Sequence, residues 1–170
     1  MSRTLSIIRH AKSSWDDPVI ADFDRPLNPR GLRDAPRMAA RLAARGILPD
    51  RIISSPAKRA ICTARTFAKE LALEPAVIDS DERLYLASAD TLLDIIRDQD
   101  RTVGSLMLFG HNPGLTELVH RLGDCPLANL PTCACAIFQI DGEDWAGTSR
   151  RTAHLEIVEY PKKRASPKRR

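Results

Sequence analysis

The chain has 170 residues, of which 43% are hydrophobic and 28% are charged, and its formal net charge is +4. This composition is typical of one globular domain with a well-buried core, and it excludes a fibrous or disordered chain and two ordinary domains. The sequence has no apolar run of the length that a membrane span needs, and its N-terminus lacks the pattern of a signal peptide. We therefore predict a cytoplasmic protein that does not bind membranes.

The positive charge comes from the C-terminal segment 161–170, which carries six basic side chains. Without these six charges the rest of the chain has a net charge of −2, and it shows no basic and aromatic face of the kind that binds nucleic acid. We predict a single domain over residues 1–160, followed by a basic, disordered tail. No nucleic-acid partner is expected, and the oligomeric state is left open.

The cysteines indicate neither a metal site nor a disulfide framework. No Cys-x-x-Cys or His-x-x-x-His pair accompanies them, so we predict reduced thiols that pack as small hydrophobic side chains, and no metal site. Cys133 and Cys135 are expected on one face of a strand, and the other two cysteines are Cys62 and Cys125.

The first predicted element is a buried strand at residues 5–8, which ends at Arg9 and His10. A proline-rich loop follows as far as Gly31. An amphipathic helix that ends near Arg45 is then predicted from apolar residues at helical spacing. These residues are Leu32, Ala35, Ala39, Leu42 and Ala43. Pro36 interrupts this pattern, so we expect the helix to begin with Asp34 as its N-cap or to kink at Pro36.

Three more pairs of strand and helix are predicted along the chain. A strand at residues 50–54 precedes a helix that starts near Ala57, and a strand at 76–79 precedes a helix at 89–97. The most apolar strand, at 105–110, runs into His111, with Asn112 as N-cap of the next helix and Pro113 as its first residue. Strands at 134–140 and 153–160, joined by an acidic link with one glycine, suggest a hairpin at the edge of the sheet.

This alternation predicts a three-layer α/β/α sandwich with a mainly parallel central sheet of about six strands and an antiparallel edge. Each of the four leading strands is followed by a residue suited to catalysis or anion binding, and parallel strands place these residues at one edge of the sheet. Any one of them alone would be an ordinary surface or structural residue. Together they predict a phosphoryl-binding pocket formed by Arg9, His10, Arg59, Glu82 and His111.

The same residues resemble the motifs of the histidine phosphatase superfamily, which includes the phosphoglycerate mutases. Arg9-His10-Ala11 is similar to its Arg-His-Gly signature, and Ser54-Ser55-Pro56 with Arg59 is similar to its second motif. Gly110-His111 resembles the third motif, and Glu82 falls where the mutases and several phosphatases carry an acid. The short chain and the segment from Arg25 to Gly31 look most like the SixA-type phosphohistidine phosphatases.

The resemblance implies a phosphoglycerate mutase-like fold and a phosphatase that needs neither metal nor other cofactor. His10 would attack phosphorus and become transiently phosphorylated, while Arg9, Arg59 and His111 would hold the phosphoryl oxygens. We expect the other ring nitrogen of His10 to donate to a carbonyl group. Glu82 would act as general acid for an alcohol leaving group and then as base for water.

Two neighbours of the Arg-His pair depart from the family pattern. Ala11 replaces the usual glycine and adds a methyl group near the expected phosphate, and Asp16 stands where many relatives carry a phosphate-binding asparagine. Because a carboxylate repels phosphate, we expect no phosphate contact from Asp16. Lys12, Ser13 and Arg25 are predicted to bind the substrate instead.

The predicted substrate is a phosphohistidine on a partner protein. The chain lacks the large insertions with which mutases enclose their substrates, and an open site suits a protein-borne phosphoryl group. One alternative is a phosphatase of small phosphomonoesters, such as a sugar phosphate or a nucleotide. Another is a phosphate-binding module without catalytic activity.

Overall fold

A six-stranded mixed sheet forms the centre of the structure, a computed structural model that describes residues 2–163. In chain order the strands are β1 Ser2–Arg9, β2 Arg51–Ser54, β3 Ile78–Ser80, β4 Ser105–Gly110, β5 Cys135–Asp141 and β6 Ala153–Glu159. They lie side by side in the order β3-β2-β4-β1-β5-β6.

The four leading strands are parallel, and the last two form an antiparallel edge. β4 lies between β1 and β2, and β3 pairs with the other side of β2. β5 runs antiparallel to β1, and β6 runs antiparallel to β5. The carboxyl ends of β1, β2 and β4 therefore meet at one edge of the sheet, where Arg9 is the register partner of Gly110.

Four helices cover the two faces of the sheet, and they are α1 Pro29–Ala44, α2 Lys58–Glu70, α3 Ala89–Arg97 and α4 Gly114–Leu122. Side chains of α1 and α2 pack in one buried cluster with Ile8, and those of α3 and α4 pack in a second cluster with Leu5 and Ile7. Alternate residues of β1 thus enter opposite layers, which explains why residues 5–8 are all buried. The predicted three-layer α/β/α architecture is confirmed.

Helix α1 begins earlier than predicted, and Asp34 is not its N-cap. The Asn28 side chain accepts a hydrogen bond from the Gly31 amide at 2.9 Å, and Pro29 takes the first turn, where a missing N–H is tolerated. Pro36 lies inside the helix. The predicted apolar face is also partly wrong, because Leu32 is 61% exposed, whereas Met38 is fully buried.

Gly31 is required by the close approach of α1 to the loop after β1. A side chain there would place its Cβ 2.2 Å from the Lys12 carbonyl oxygen, which is far inside van der Waals contact. The Lys12 carbonyl also accepts a hydrogen bond from the Asn28 amide at 3.0 Å. The start of α1 is therefore fixed against the segment that follows the Arg-His pair.

Helix α4 begins at Gly114, one residue later than predicted. Asn112 is not the N-cap residue, yet its side chain still accepts hydrogen bonds from the Thr116 amide at 3.2 Å and the Thr116 hydroxyl at 2.9 Å. It therefore caps the helix from one position further out. β3 also differs from the prediction, because Pro75–Val77 form a 3₁₀ turn and the strand begins only at Ile78.

The predicted edge hairpin is present as the pair β5 and β6, but its connection spans residues 142–152 and is longer than the acidic link. Trp145 in this connection is fully buried, and its indole N–H donates to the Val103 carbonyl at 2.8 Å. It packs in the cluster of α3 and α4. The connection therefore belongs to the core on that side of the sheet.

Cys133 and Cys135 are buried free thiols beside the cluster of α1 and α2. Burial raises the pKa of both thiols well above its ordinary value, so they remain protonated. Their predicted placement on one strand face is wrong, because Cys133 lies before β5 with a positive φ of 61°. Cys62 and Cys125 are half-buried free thiols at the edges of the two clusters.

The start of the predicted basic tail continues from β6 as a turn. The Lys163 ammonium donates to the Val158 carbonyl at 2.6 Å. Residues 164–170 of the predicted tail lie outside the described residues. Between residues 2 and 163, no helix is both long enough and apolar enough to cross a membrane.

Candidate active site

The candidate site lies at the edge where β1, β2 and β4 end. His10 directly follows β1, His111 directly follows β4, and Arg59 lies in the first turn of α2. The His10 amide donates to the Gly110 carbonyl at 3.2 Å, which ties the ends of the two central strands together. The structure brings these three of the five predicted residues together, since the two imidazole rings lie 5.2 Å apart and Arg59 contacts His10.

His10 is held in a single tautomer. Its Nδ1 lies 2.7 Å from the Ala11 carbonyl oxygen, which can only accept, so Nδ1 carries the proton, as expected from the sequence. The other nitrogen, Nε2, then carries a lone pair and accepts a bond from Arg59 Nε at 3.3 Å. His10 is only 7% exposed. The imidazole therefore presents a nucleophilic nitrogen beside a guanidinium group.

Thr63 couples the segment after β1 to the first turn of α2. Its hydroxyl donates to the Arg59 carbonyl at 2.7 Å and accepts from the Ala11 amide at 3.0 Å. This bridge fixes the backbone of Arg59 relative to that of His10. Ala11 itself is fully buried in the cluster of α1 and α2, so its methyl group packs in the core.

His111 is oriented by the end of β2. Its Nε2 lies 2.8 Å from Ser55 Oγ, which also accepts a hydrogen bond from the Ala57 amide at 3.2 Å. Because a serine hydroxyl has one proton and two lone pairs, it can donate to Nε2 or accept from it. Nδ1 of His111 is buried and has no hydrogen-bond partner among residues 2–163. His111 thus retains one unpartnered ring nitrogen.

Arg9 contributes a second guanidinium group to the site. Its Nη1 donates to the Leu130 carbonyl at 2.8 Å, and its Nε is buried with no partner among the described residues. Burial, reinforced by the charge of Arg59, lowers the pKa of Arg9. Buried guanidinium groups with unused donors are suited to binding a multiply charged anion.

Both histidines are neutral near pH 7. Burial is the largest cause that lowers the pKa of His10 to about 4; the Ala11 carbonyl opposes this shift, and nearby arginine charges reinforce it. Burial also lowers the pKa of His111 to about 3, together with the charges of His10 and Arg59. A neutral His10 keeps its lone pair at physiological pH.

The free energy of unfolding is expected to fall as the pH drops below 6.5. Because the unfolded histidines take up protons near pH 6.5 and the folded ones only near pH 4 and pH 3, unfolding consumes protons between these values. Each histidine contributes a slope of about 1.4 kcal/mol per pH unit in the middle of this range. Urea unfolding at pH 5.0 to 7.0 measures this slope.

The matched control is a double variant, His10→Asn with His111→Asn, which should flatten the profile. An equal slope in the double variant and the wild type would contradict the assignment of neutral buried imidazoles.

The other predicted site residues have different surroundings. Ser13 Oγ accepts from Arg25 Nη1 at 2.7 Å, and the guanidinium of Arg25 stacks on Trp15 at 3.5 Å from the ring centroid. These two residues therefore brace the loop beside the site, and substrate binding by them stays a prediction. Lys12 is half-buried, and Asp16 is exposed in the same loop.

Glu82 begins a 3₁₀ turn, Glu82–Leu84, shortly after β3. Its side chain is exposed and makes no hydrogen bond to the described residues around His10. The same turn carries Tyr85, whose ring lies 5.6 Å from that of His111. Glu82 therefore follows the strand as predicted, and its role as an acid stays a prediction.

The sequence prediction missed Asp22 and Tyr85. Asp22 Oδ2 accepts bonds from Arg59 Nη2 at 3.0 Å and from the Tyr85 hydroxyl at 2.6 Å. Its Oδ1 accepts from Arg25 Nη2 at 3.0 Å. Partial burial would raise the pKa of Asp22, but the bonds from Tyr85 and the arginines lower it to about 2. The only sequence signal for Asp22 was its position three residues before Arg25, a spacing that allows an ion pair within one turn.

Comparisons with known proteins agree with this geometry. The family model of the histidine phosphatase superfamily (branch 1) matches residues 5–85, which contain His10 and Arg59. A protein of Agrobacterium tumefaciens assigned as the phosphohistidine phosphatase SixA shares the fold, with a TM-score of 0.78 and 28% identity over 94% of this chain and 98% of that one. The chain belongs to the histidine phosphatase superfamily.

Two further comparisons extend the match over the chain. An uncharacterized protein of Mycobacterium tuberculosis is 33% identical over 165 residues, which cover 91% of this chain and all of that protein. The protein histidine phosphatase SixA in complex with tungstate has the same fold, with a TM-score of 0.79 and 22% identity over 93% of this chain and 97% of that one. Membership in this superfamily indicates a phosphatase.

Among residues 2–163, no group of three or more His, Cys, Asp or Glu side chains is placed to hold a metal ion. The chemistry that the described residues offer is that of an uncharged imidazole nucleophile within a cluster of guanidinium groups. Such a site can form a bond to an electrophilic phosphorus atom while it neutralises the phosphoryl oxygens.

Proposed function

We propose that this phosphatase hydrolyses phosphohistidine on a partner protein, with His10 as the nucleophile. The observation that carries the proposal is the lone pair on His10 Nε2, held beside Arg59 by the bond from Nδ1 to the Ala11 carbonyl. Burial keeps this imidazole neutral, so it is nucleophilic at physiological pH.

In the first step Nε2 of His10 forms a bond to phosphorus as the bond from phosphorus to the leaving nitrogen breaks. The electron pair of the broken bond returns to the leaving imidazole. Arg9, Arg59 and His111 hold the phosphoryl oxygens as their charge redistributes, with His111 in the tautomer that carries its proton on the unpartnered Nδ1. In the second step water attacks phosphorus, inorganic phosphate leaves, and Nε2 regains its lone pair.

The proposal is tested by turnover with EDTA present, on a histidine-phosphorylated protein panel and on a panel of small phosphomonoesters. We expect phosphate release to have the higher kcat/KM on a phosphohistidine protein. A higher kcat/KM on a sugar phosphate or nucleotide would favour the small-molecule phosphatase. Absence of release from every donor, together with no acid-labile label on His10, would favour the non-catalytic module.

Glu82 is proposed to protonate an alcohol leaving group, because it is an exposed carboxylate three residues before Tyr85, which packs against His111. Glu82→Gln is expected to lower kcat on phosphomonoesters about 100-fold, the usual contribution of a general acid. Phosphohistidine turnover should fall much less, since an imidazole that already carries a proton leaves without help. Parallel kcat measurements on both substrates provide the test.

Glu117→Gln in α4 is the matched control for Glu82→Gln, with the same chemical change outside the site. The proposed role of Glu82 would be wrong if phosphohistidine turnover collapsed and phosphomonoester turnover did not change.

A further inference from the structure

A carboxylate lies inside this cationic site, where simple phosphate binding gives no reason for it. This carboxylate is Asp22, in the 3₁₀ turn Asp22–Asp24. Arg59 donates two hydrogen bonds to it, from Nη2 to the side-chain Oδ2 at 3.0 Å and from Nη1 to the backbone carbonyl at 2.7 Å. The guanidinium that contacts the nucleophile is thus shared with an anionic side chain. Arg59 and Arg25 offset part of the Asp22 charge, and the part that remains repels a phosphoryl group but attracts a substrate that also brings a positive charge.

The position of Asp22 is set by several bonds, which leave part of the carboxylate open to solvent. Arg25 Nε and Nη2 donate to its Oδ1 at 3.2 Å and 3.0 Å, and the Tyr85 hydroxyl donates to its Oδ2 at 2.6 Å. The side chain is still 43% exposed, whereas that of Arg59 is 4% exposed. Each carboxylate oxygen already accepts two of these bonds, so the exposed part of Asp22 offers an incoming group its negative charge rather than a free acceptor site.

Two aromatic rings stand beside this carboxylate. Phe23 and Tyr85 pack edge to face with ring centroids 5.1 Å apart, and Tyr85 also packs against His111 at 5.6 Å. Phe23 is 38% exposed. Aromatic rings next to a carboxylate suit a planar cation, which gains from the ring quadrupole and from the negative charge.

We propose that Asp22, with Tyr85 and Phe23, forms the subsite for the leaving group and binds the imidazolium ring of the substrate phosphohistidine. The inference rests on the proposed function and assigns its specificity to these residues. The negative charge of Asp22 faces the N–H of the substrate ring nitrogen that is not bonded to phosphorus. Because Asp22 has a pKa of about 2, it remains a charged carboxylate and does not act as an acid.

The chemistry balances without a proton transfer at the leaving group. When His10 attacks, the bond between phosphorus and the substrate nitrogen breaks, and its electron pair neutralises the ring cation. The ring leaves as neutral imidazole and keeps the N–H that faces Asp22. An opposite charge favours the protonated ring, which is the form that leaves readily, so Asp22 selects this substrate over phosphate esters.

The test compares Asp22→Asn with the wild type on a histidine-phosphorylated protein and on para-nitrophenyl phosphate, whose leaving group is not cationic. The ratio of kcat/KM for phosphohistidine to kcat/KM for the aryl phosphate should fall roughly tenfold or more, the effect of removing one opposite charge beside the protonated ring. Asp24→Asn is the matched control in the same turn, and it should leave the ratio unchanged.

Using the ratio separates specificity from a loss of structure, since a disordered loop would lower both kcat/KM values together. Tyr85→Phe keeps the ring but removes the bond to Asp22, and it should lower the ratio in the same direction. Circular dichroism melting confirms that each variant is folded. An unchanged ratio in Asp22→Asn and Tyr85→Phe overturns the inference and leaves the proposed function intact. A wild type that hydrolyses only the aryl phosphate overturns both.

Discussion

Replacement of His10 by Asn is expected to lower kcat by about 10³-fold or more and to abolish the phosphorylated enzyme. The Asn amide can still donate to the Ala11 carbonyl, as Nδ1 of His10 does at 2.7 Å, so the local backbone keeps its partner. It has no nitrogen at the position of Nε2, and its amide nitrogen has no available lone pair. Rapid quenching with a radiolabelled phospho-donor measures the acid-labile label.

The control for His10→Asn is His154→Asn, which removes an imidazole that pairs with Asp141 on the exposed edge of the sheet. This variant should keep wild-type turnover and wild-type labelling. Acid-labile label on the His10→Asn enzyme would show that another residue is the nucleophile, and His111 would then be the first residue to replace.

Arg59→Lys is expected to lower kcat/KM roughly 100-fold on every phosphorylated substrate, about the effect of losing one preorganised donor to a developing charge. Arg59 donates hydrogen bonds from Nε to His10 and from both Nη atoms to Asp22. A lysine ammonium is a single point donor and cannot span these positions. The loss should appear in kcat as well as KM, because the guanidinium contacts the attacking nitrogen.

Arg65→Lys is the matched control for Arg59→Lys, since it makes the same change at an exposed position of α2. Steady-state kinetics on phosphohistidine and aryl phosphate substrates should be unaffected by it. Equal kinetics of Arg59→Lys and wild type would exclude Arg59 from the oxygen clamp. A weaker inhibition by inorganic phosphate in Arg59→Lys would support it independently.

Much of the layered fold could be predicted because its signals are local. β4 and α3 have the predicted bounds, Ser105–Gly110 and Ala89–Arg97, since a continuous apolar run and a 3.6-residue period depend on neighbouring residues only. The start of α1 was missed because a proline-rich segment predicts a loop, whereas Pro29 is tolerated in the first turn once Asn28 caps it. The burial of Trp145 was missed because its partner, the Val103 carbonyl, is distant in sequence.

By itself the sequence determined the alternation of strands and helices, and with it the edge at which His10, Arg59 and His111 meet. This followed from a general rule, since residues after parallel strands lie on one side of the sheet. Only the tertiary structure decided what surrounds these residues. Asp22 meets Arg59 and Tyr85 across 37 and 63 residues of chain, and Ser55 meets His111 across 56. Such contacts depend on the path of loops and on side-chain packing, which leave no periodic pattern in the sequence.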